Sequence, residues 1–380
     1  STINANGTTV VSSGTLTLAN LASATATMNV ADNQTITVSG SGTLNLAVLG
    51  SGTLNVGTIT TSITTTALVL SGGTLNVSSG GTGVLNLYND LNLNSGSLTK
   101  TGGGTGTVNF VARGAAFPAA PHSQLVTQSS GTVSGTIAFN VGATGSNTLL
   151  TLGSNVDFGS GSTTTITGFG ATNFSYLDFG IYTLDGLNFT QSNYGVMTTA
   201  HADGFWTIAT GLTTGALRTT SSRTLNANGN FSFNGTGTQV TGDAVTSAFN
   251  FSSFNSLGTL TLSNNLTITS GGTMFLSFFG LHGKLYLSTF NCTIASGASI
   301  SGASSTDYFV TNSTGQLKQT VGASTVIYPV GNSAYNPMTL NNTGGTSDVY
   351  GVNVVDAVTS PAPFDDTKLI NRYWVVTEAV

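Results

Sequence analysis

Gly42-Thr43-Leu44-Asn45-Leu46, Gly52-Thr53-Leu54-Asn55-Val56 and Gly73-Thr74-Leu75-Asn76-Val77 are three copies of one five-residue unit. Looser copies stand at 14–18, 83–87 and 106–110. Within the clear copies the apolar residues alternate: Leu44 and Leu46, Leu54 and Val56, Leu75 and Val77, then Leu85 and Leu87. A period of two describes an extended strand with one face buried. Leu44 and Leu54 are 10 residues apart, as are Leu75 and Leu85, whereas Leu44 to Leu75 and Leu54 to Leu85 are both 31. Ten residues suit one strand and one turn, and 31 suit one coil of a three-faced β-solenoid. On that reading Leu44 lies beneath Leu75, about 4.8 Å away along the axis. The outward Asn45, Asn55, Asn76 and Asn86 then stack as amide ladders. Glycines and serines at the strand starts fit tight corners. A meander of hairpins also accommodates the ten-residue step, but a fixed period of this length favours stacked coils.

Composition agrees with an all-β chain. Charged residues make up 6% of the 380, against about 25% in ordinary soluble domains. Fifty glycines accompany abundant Ser, Thr and Asn, and Glu378 is the single glutamate. Helix formers are scarce and strand and turn formers plentiful. The hydrophobic fraction of 39% speaks against disorder of the whole chain. Net charge is −5, and the eight basic residues (Lys100, Arg113, Arg218, Arg223, Lys284, Lys318, Lys368, Arg372) are scattered singly. Nucleic-acid binding needs a basic stripe, which is absent. No apolar run of about 18 residues spans a membrane as a helix. The alternating strands leave an outer-membrane barrel open, though no aromatic girdles are visible.

The texture changes along the chain. Before Phe110 the only aromatic is Tyr88, so a thin core of Leu, Val and Ile gives way to a bulkier one. Four segments result: a solenoid over 1–110, a β-rich continuation with a loop excursion near Pro118 and Pro121 over 111–220, a second β-array over 221–300, and a small β-sandwich-like or capping module over 301–380. The start at Ser1, with neither methionine nor signal peptide, reads as a processed N-terminus or an arbitrary boundary. The end at Val380, just after a strand, suggests a longer natural chain.

Within 301–380, Val310-Thr311-Asn312-Ser313-Thr314-Gly315-Gln316-Leu317 is followed by Tyr328-Pro329-Val330-Gly331-Asn332-Ser333, Tyr335-Asn336-Pro337-Met338-Thr339-Leu340, Asp348-Val349-Tyr350-Gly351-Val352 and Asn371-Arg372-Tyr373-Trp374-Val375-Val376-Thr377. This succession resembles a segment of large secreted surface proteins of Bacteroidota, many exported by the type IX system. The resemblance implies an extracellular or cell-surface location and an adhesin-like or surface-layer-like role. A C-terminal sorting domain is expected in that family and does not stand in this sequence.

Few residues invite a chemical reading. Asp365 and Asp366 are the only adjacent acids, and neighbours in a strand point to opposite faces. A solvated loop is the plainer reading, with a structural Ca²⁺ bound with carbonyl help as the alternative. His122, His201 and His282 lack metal-ligand spacing, and His201 with Asp203 is the best acid/base pair among them. Cys292, the lone cysteine, reads as a buried hydrophobe. Gly102-Gly103-Gly104 and Gly271-Gly272 read as turns, since no Lys-Ser/Thr completes a phosphate loop. Tyr194, Trp206, Tyr335 and Trp374 are sugar-stacking candidates that read more simply as core. A β-helix carbohydrate-active enzyme would gather Asp, Arg, Lys or His on neighbouring coils, but 1–110 holds only Asp32, Asp90 and Lys100.

The expected role is therefore structural, without catalysis or cofactor. A solenoid end presents unpaired strands that natural proteins protect with charge, proline or caps, and residues 2–18 carry neither charge nor proline. Self-association into a filament or sheath is expected through Thr2, Ile3, Val10, Val11, Leu16 and Leu18 at one end. At the other end Tyr373, Trp374, Val375 and Val376 are expected to take part. A monomeric adhesin stalk binding glycans or surfaces is the alternative.

Overall fold

The structure, a computed structural model, describes residues 2–378 apart from 6–8, 20–24, 31–34, 40, 48, 57–66, 112–122, 143–147, 169–173, 210–211, 256, 279 and 357–371. Every regular element among them is a strand. The chain divides into two compact units, Ser1–Thr198 with Ala216–Asn226, and Thr199–Gly215 with Ala227–Val380.

In the first unit the strands visit three faces in strict rotation. The first face stacks Thr2–Ala5, Thr25–Val30, Ser51–Val56, Thr82–Leu87, Thr105–Phe110 and Ile137–Val141. The second stacks Thr9–Val11, Thr35–Ser39, Ala67–Ser71, Asp90–Leu93 and Ser123–Gln128, and the third Thr15–Ala19, Thr43–Ala47, Thr74–Ser78, Ser97–Thr99 and Thr132–Ser134. All these pairings are parallel, the signature of a β-solenoid and not of a hairpin meander. Leu44 pairs with Leu75 and Leu54 with Leu85, the register that the 31-residue spacing predicts. The ten-residue step carries the chain from the third face to the first.

Coil length is not constant. Asparagines in register on the first face are separated by 25, 26, 31, 23 and 31 residues from Asn4 through Asn140. The faces hold their register while the corners absorb the difference. A one-residue slip would turn every inward Leu outward, whereas added loop length costs little.

Those asparagines form a ladder. Asn29, Asn55, Asn86, Asn109 and Asn140 each donate Nδ2–H to the Oδ1 of the asparagine one coil earlier, at 2.7–3.0 Å. Asn45 and Asn76 share a register on the third face, but Asn45 donates to Thr17 and Asn76 to Thr101. Asn86→Ala removes two rungs from the middle of the first-face ladder and should lower stability by about 1 kcal/mol. Asn4→Ala, at the exposed end, should cost less than about 0.5 kcal/mol. Urea midpoints of the two variants test this, and equal losses would refute a cooperative ladder.

The early core is aliphatic: Ile36, Val38, Leu44, Leu54, Leu68, Leu85 and Leu91 are fully buried. From Phe110 onward phenylalanines take over, and Phe139 stacks on Phe158 with ring centroids 3.9 Å apart. Thr132–Ser134 is the last strand of the third face, while the first continues through Thr163–Ile166, Leu184–Gln191 and Leu217–Thr224.

The second unit is also a parallel stack. One ladder runs Asn230–Phe233, Ser247–Ser253, Leu266–Phe275, Cys292–Ile294 and Leu317–Val321. The other runs Thr238–Val240, Thr259–Thr261, Leu285–Tyr286, Phe309–Val310 and Val330–Gly331. The expected C-terminal module is thus joined to the array, since its first strands lengthen both ladders. Its own contribution is antiparallel: Leu317–Val321 pairs with Asp348–Val355, which pairs with Tyr373–Glu378.

Candidate assembly surfaces

Thr2–Ala5, Thr9–Val11 and Thr15–Ala19 are each the end strand of their sheet. Their outer backbone edges therefore lack a strand partner among the described residues. Ile3 is aligned with Met28, and Met28 with Leu54. All three belong to one inward row, yet Met28 is 2% exposed and Ile3 48%. Leu16 likewise stands in register with the fully buried Leu44 but is only half-buried, as is Leu18. These side chains point along the core row, and among the described residues no strand stacks on their outer side. Val11 is buried within its own coil, and Val10 and Thr2 are exposed. The asparagine ladder stops here too: Asn4 Oδ1 accepts from Asn29, and its Nδ2 has no partner among the described residues. The end thus offers open backbone edges, an open apolar row and an amide donor.

Tyr373–Glu378 is the end strand of its sheet, held by Asp348–Val355 alone. Tyr373, Trp374 and Val376 are 43%, 38% and 39% exposed, and Val375 is half-buried. The reading of Trp374 as core is therefore corrected: it stands part-exposed on a strand paired on one side only. A polar latch fixes the strand's start. Arg372 donates to Asn336 Oδ1 at 2.8 Å and lies 3.4 Å from Asp356, and the Trp374 indole N–H donates to Asn336 O.

Burial alone would raise the Asp356 carboxyl, but two hydrogen bonds from Ser333 and the Arg372 charge outweigh it and hold it below its ordinary 3.8. A depressed folded-state pKa gives stabilisation that is complete above the ordinary value and lost as pH falls through the lower one. Below about pH 4 the latch should loosen by about 1 kcal/mol, read by Trp374 fluorescence in a Trp206→Phe background. Asp356→Asn should abolish that acid transition, and its persistence would disprove the assignment.

The other candidates do not assemble into a site. Asp365, Asp366 and His122 lie outside the described residues. Among the described residues no group of three or more His, Cys, Asp or Glu side chains is placed to hold a metal. His201 Nδ1 accepts the Asp203 backbone N–H within a turn. Cys292 is fully buried, which pushes its thiol up to about 12 and keeps it unreactive. Trp206 is buried, and Tyr194 and Tyr335 are half-buried. Gly102 takes a positive φ in a bend, as its reading as a turn requires, whereas Gly271 takes one inside the strand Leu266–Phe275, where the pairing shifts register, which corrects the reading of Gly271-Gly272 as a turn. Among the described residues no helix is long and apolar enough to cross a membrane.

One site escaped the sequence reading. A groove of about 460 Å³ in the second unit is lined by Asn255, His282, Lys284, Tyr286 and Asp307 among others. Its trace was present, since His282, Lys284 and Tyr286 alternate with buried Gly283, Leu285 and Leu287. Asp307 and Asn255 reach it only through folding. The chain matches no protein-family model, no curated protein and no solved structure.

Proposed function

We propose that this chain is an extracellular structural protein that joins to copies of itself, end to end, in a surface filament or sheath. The observation that supports this most is the outer side of the first described coil. Ile3 and Leu16 hold core positions yet stand exposed or half-exposed, beside three unpaired parallel strand edges. Added strands satisfy such edges by β-augmentation. The exposed strand Tyr373–Glu378 gives a second edge of the same kind. Catalysis and a resident cofactor form no part of this reading.

Sedimentation velocity over a concentration series tests it, with electron microscopy of the products. Growth into linear polymers is the expected result. A chain that stays monomeric at millimolar concentration sinks the reading. A monomeric adhesin is the second reading, favoured by the groove beside Lys284.

A further inference from the structure

Asp307 is the anchor of the groove in the second unit. Its side chain is 2% exposed. It accepts from Ser304 Oγ at 2.7 Å, Thr306 Oγ1 at 2.8 Å, His282 Nδ1 at 3.1 Å and the Gly283 backbone at 3.0 Å. Burial raises its pKa, but these bonds together hold it below 3.8. Asp307 is therefore an ionised acceptor whose lone pairs the protein itself occupies. It also assigns the proton to His282 Nδ1 and fixes the ring.

The groups left facing the groove are mostly donors. Lys284 Nζ lies 4.6 Å from the centroid of the buried Tyr308 ring. No carboxylate among the described residues pairs with that ammonium. Asn255 is 2% exposed, and its Oδ1 accepts from Ser253 Oγ, while its Nδ2 has no partner. Asn255 is shut from solvent and packs in the groove wall beside Ser253. Tyr286 adds a half-buried aromatic ring to the wall. In sequence, the exposed Leu257 and Leu281 flank Gly258 and His282 of the lining.

An occupant that engages this wall brings negative charge for Lys284 and a flat C–H face for Tyr286. A small inorganic anion meets the first need and leaves the ring bare. A neutral sugar meets the second and brings no anion to Lys284. We propose that the groove binds a uronic-acid unit of an acidic polysaccharide. Its carboxylate sits on Lys284 Nζ and its apolar face on Tyr286. This site is independent of end-to-end assembly.

Titration calorimetry with trigalacturonate, its methyl ester and maltotriose tests the assignment. Trigalacturonate should bind, more weakly as salt rises, and both neutral sugars at least tenfold more weakly. Lys284→Met, which keeps the stem over Tyr308, should weaken trigalacturonate at least tenfold, and Lys284→Arg by no more than a few fold. Tyr286→Leu should weaken it several-fold. Circular dichroism checks that each variant is folded. Binding of the methyl ester equal to that of the acid, unchanged affinity in Lys284→Met, or no heat with millimolar trigalacturonate would overturn the proposal.

Discussion

Gly83→Val should lower the stability of the first unit by about 3 kcal/mol or more, roughly 6–12 °C in Tm for a unit of this size. A Cβ built at Gly83 lies 1.7 Å from the Val77 carbonyl oxygen, a backbone atom of the preceding strand. One coil earlier Gly52 repeats the arrangement, 1.7 Å from the carbonyl oxygen of Leu46. Neither atom can move without breaking register, because the strands around them are paired on both sides. Gly106 is aligned with Gly83 and shares its place in the repeat. There the first atom met is the flexible Lys100 Cγ, at 3.3 Å. Gly106→Ala should therefore cost less than about 1 kcal/mol. Thermal unfolding by circular dichroism separates the two. Equal losses at 83 and 106 would mean that the corner is set by the repeat alone and not by the carbonyl beneath it.

The combined variant Ile3→Lys and Val10→Lys should abolish polymer growth while leaving the fold intact. Ile3 and Val10 are 48% and 56% exposed in the single chain, so the substitutions should change its stability by no more than about 0.5 kcal/mol each. In a stacked pair, Ile3 would be enclosed between coils, as Met28 is between its neighbours. An ammonium in that row would be buried without a partner, several kcal/mol of penalty per contact. Charge on an edge strand is also how natural sheets refuse partners. Sedimentation velocity should show long polymers for the natural sequence and a single slow species for the variant, with Tm unchanged. Polymers that persist in the variant would move the contact away from this end. The strand Tyr373–Glu378 would then be the surface to alter.

The legibility of the fold follows from what a repeat encodes. Alternation at Leu44 and Leu46 fixes a strand locally, and recurrence at Leu75 and Leu85 fixes which strands stack. Register is a property of the row of side chains, and the row is written in the sequence. The Asn55–Asn86 rung was legible for the same reason. Beyond Phe110 the repeat fades, because phenylalanines such as Phe139, Phe158 and Phe179 take core positions and no one residue recurs at one spacing. The coil lengths were less legible, since corners of different length close the same faces.

Sequence alone determined that the chain is all-β, that its first part is a stack of parallel coils, and that its leading coil carries no charge or proline. These follow from periodicity and composition, which act through neighbours along the chain and through identical neighbours one coil away. Only the tertiary structure decided that Ile3 is a core residue left uncovered, that Trp374 stands on an exposed strand, and that Asn255, Lys284 and Asp307 line one groove. Those facts depend on what does or does not pack against a residue from distant parts of the chain. Ile3 and Leu54 occupy the same inward row. One is open and the other closed because burial is conferred by the coil on the far side.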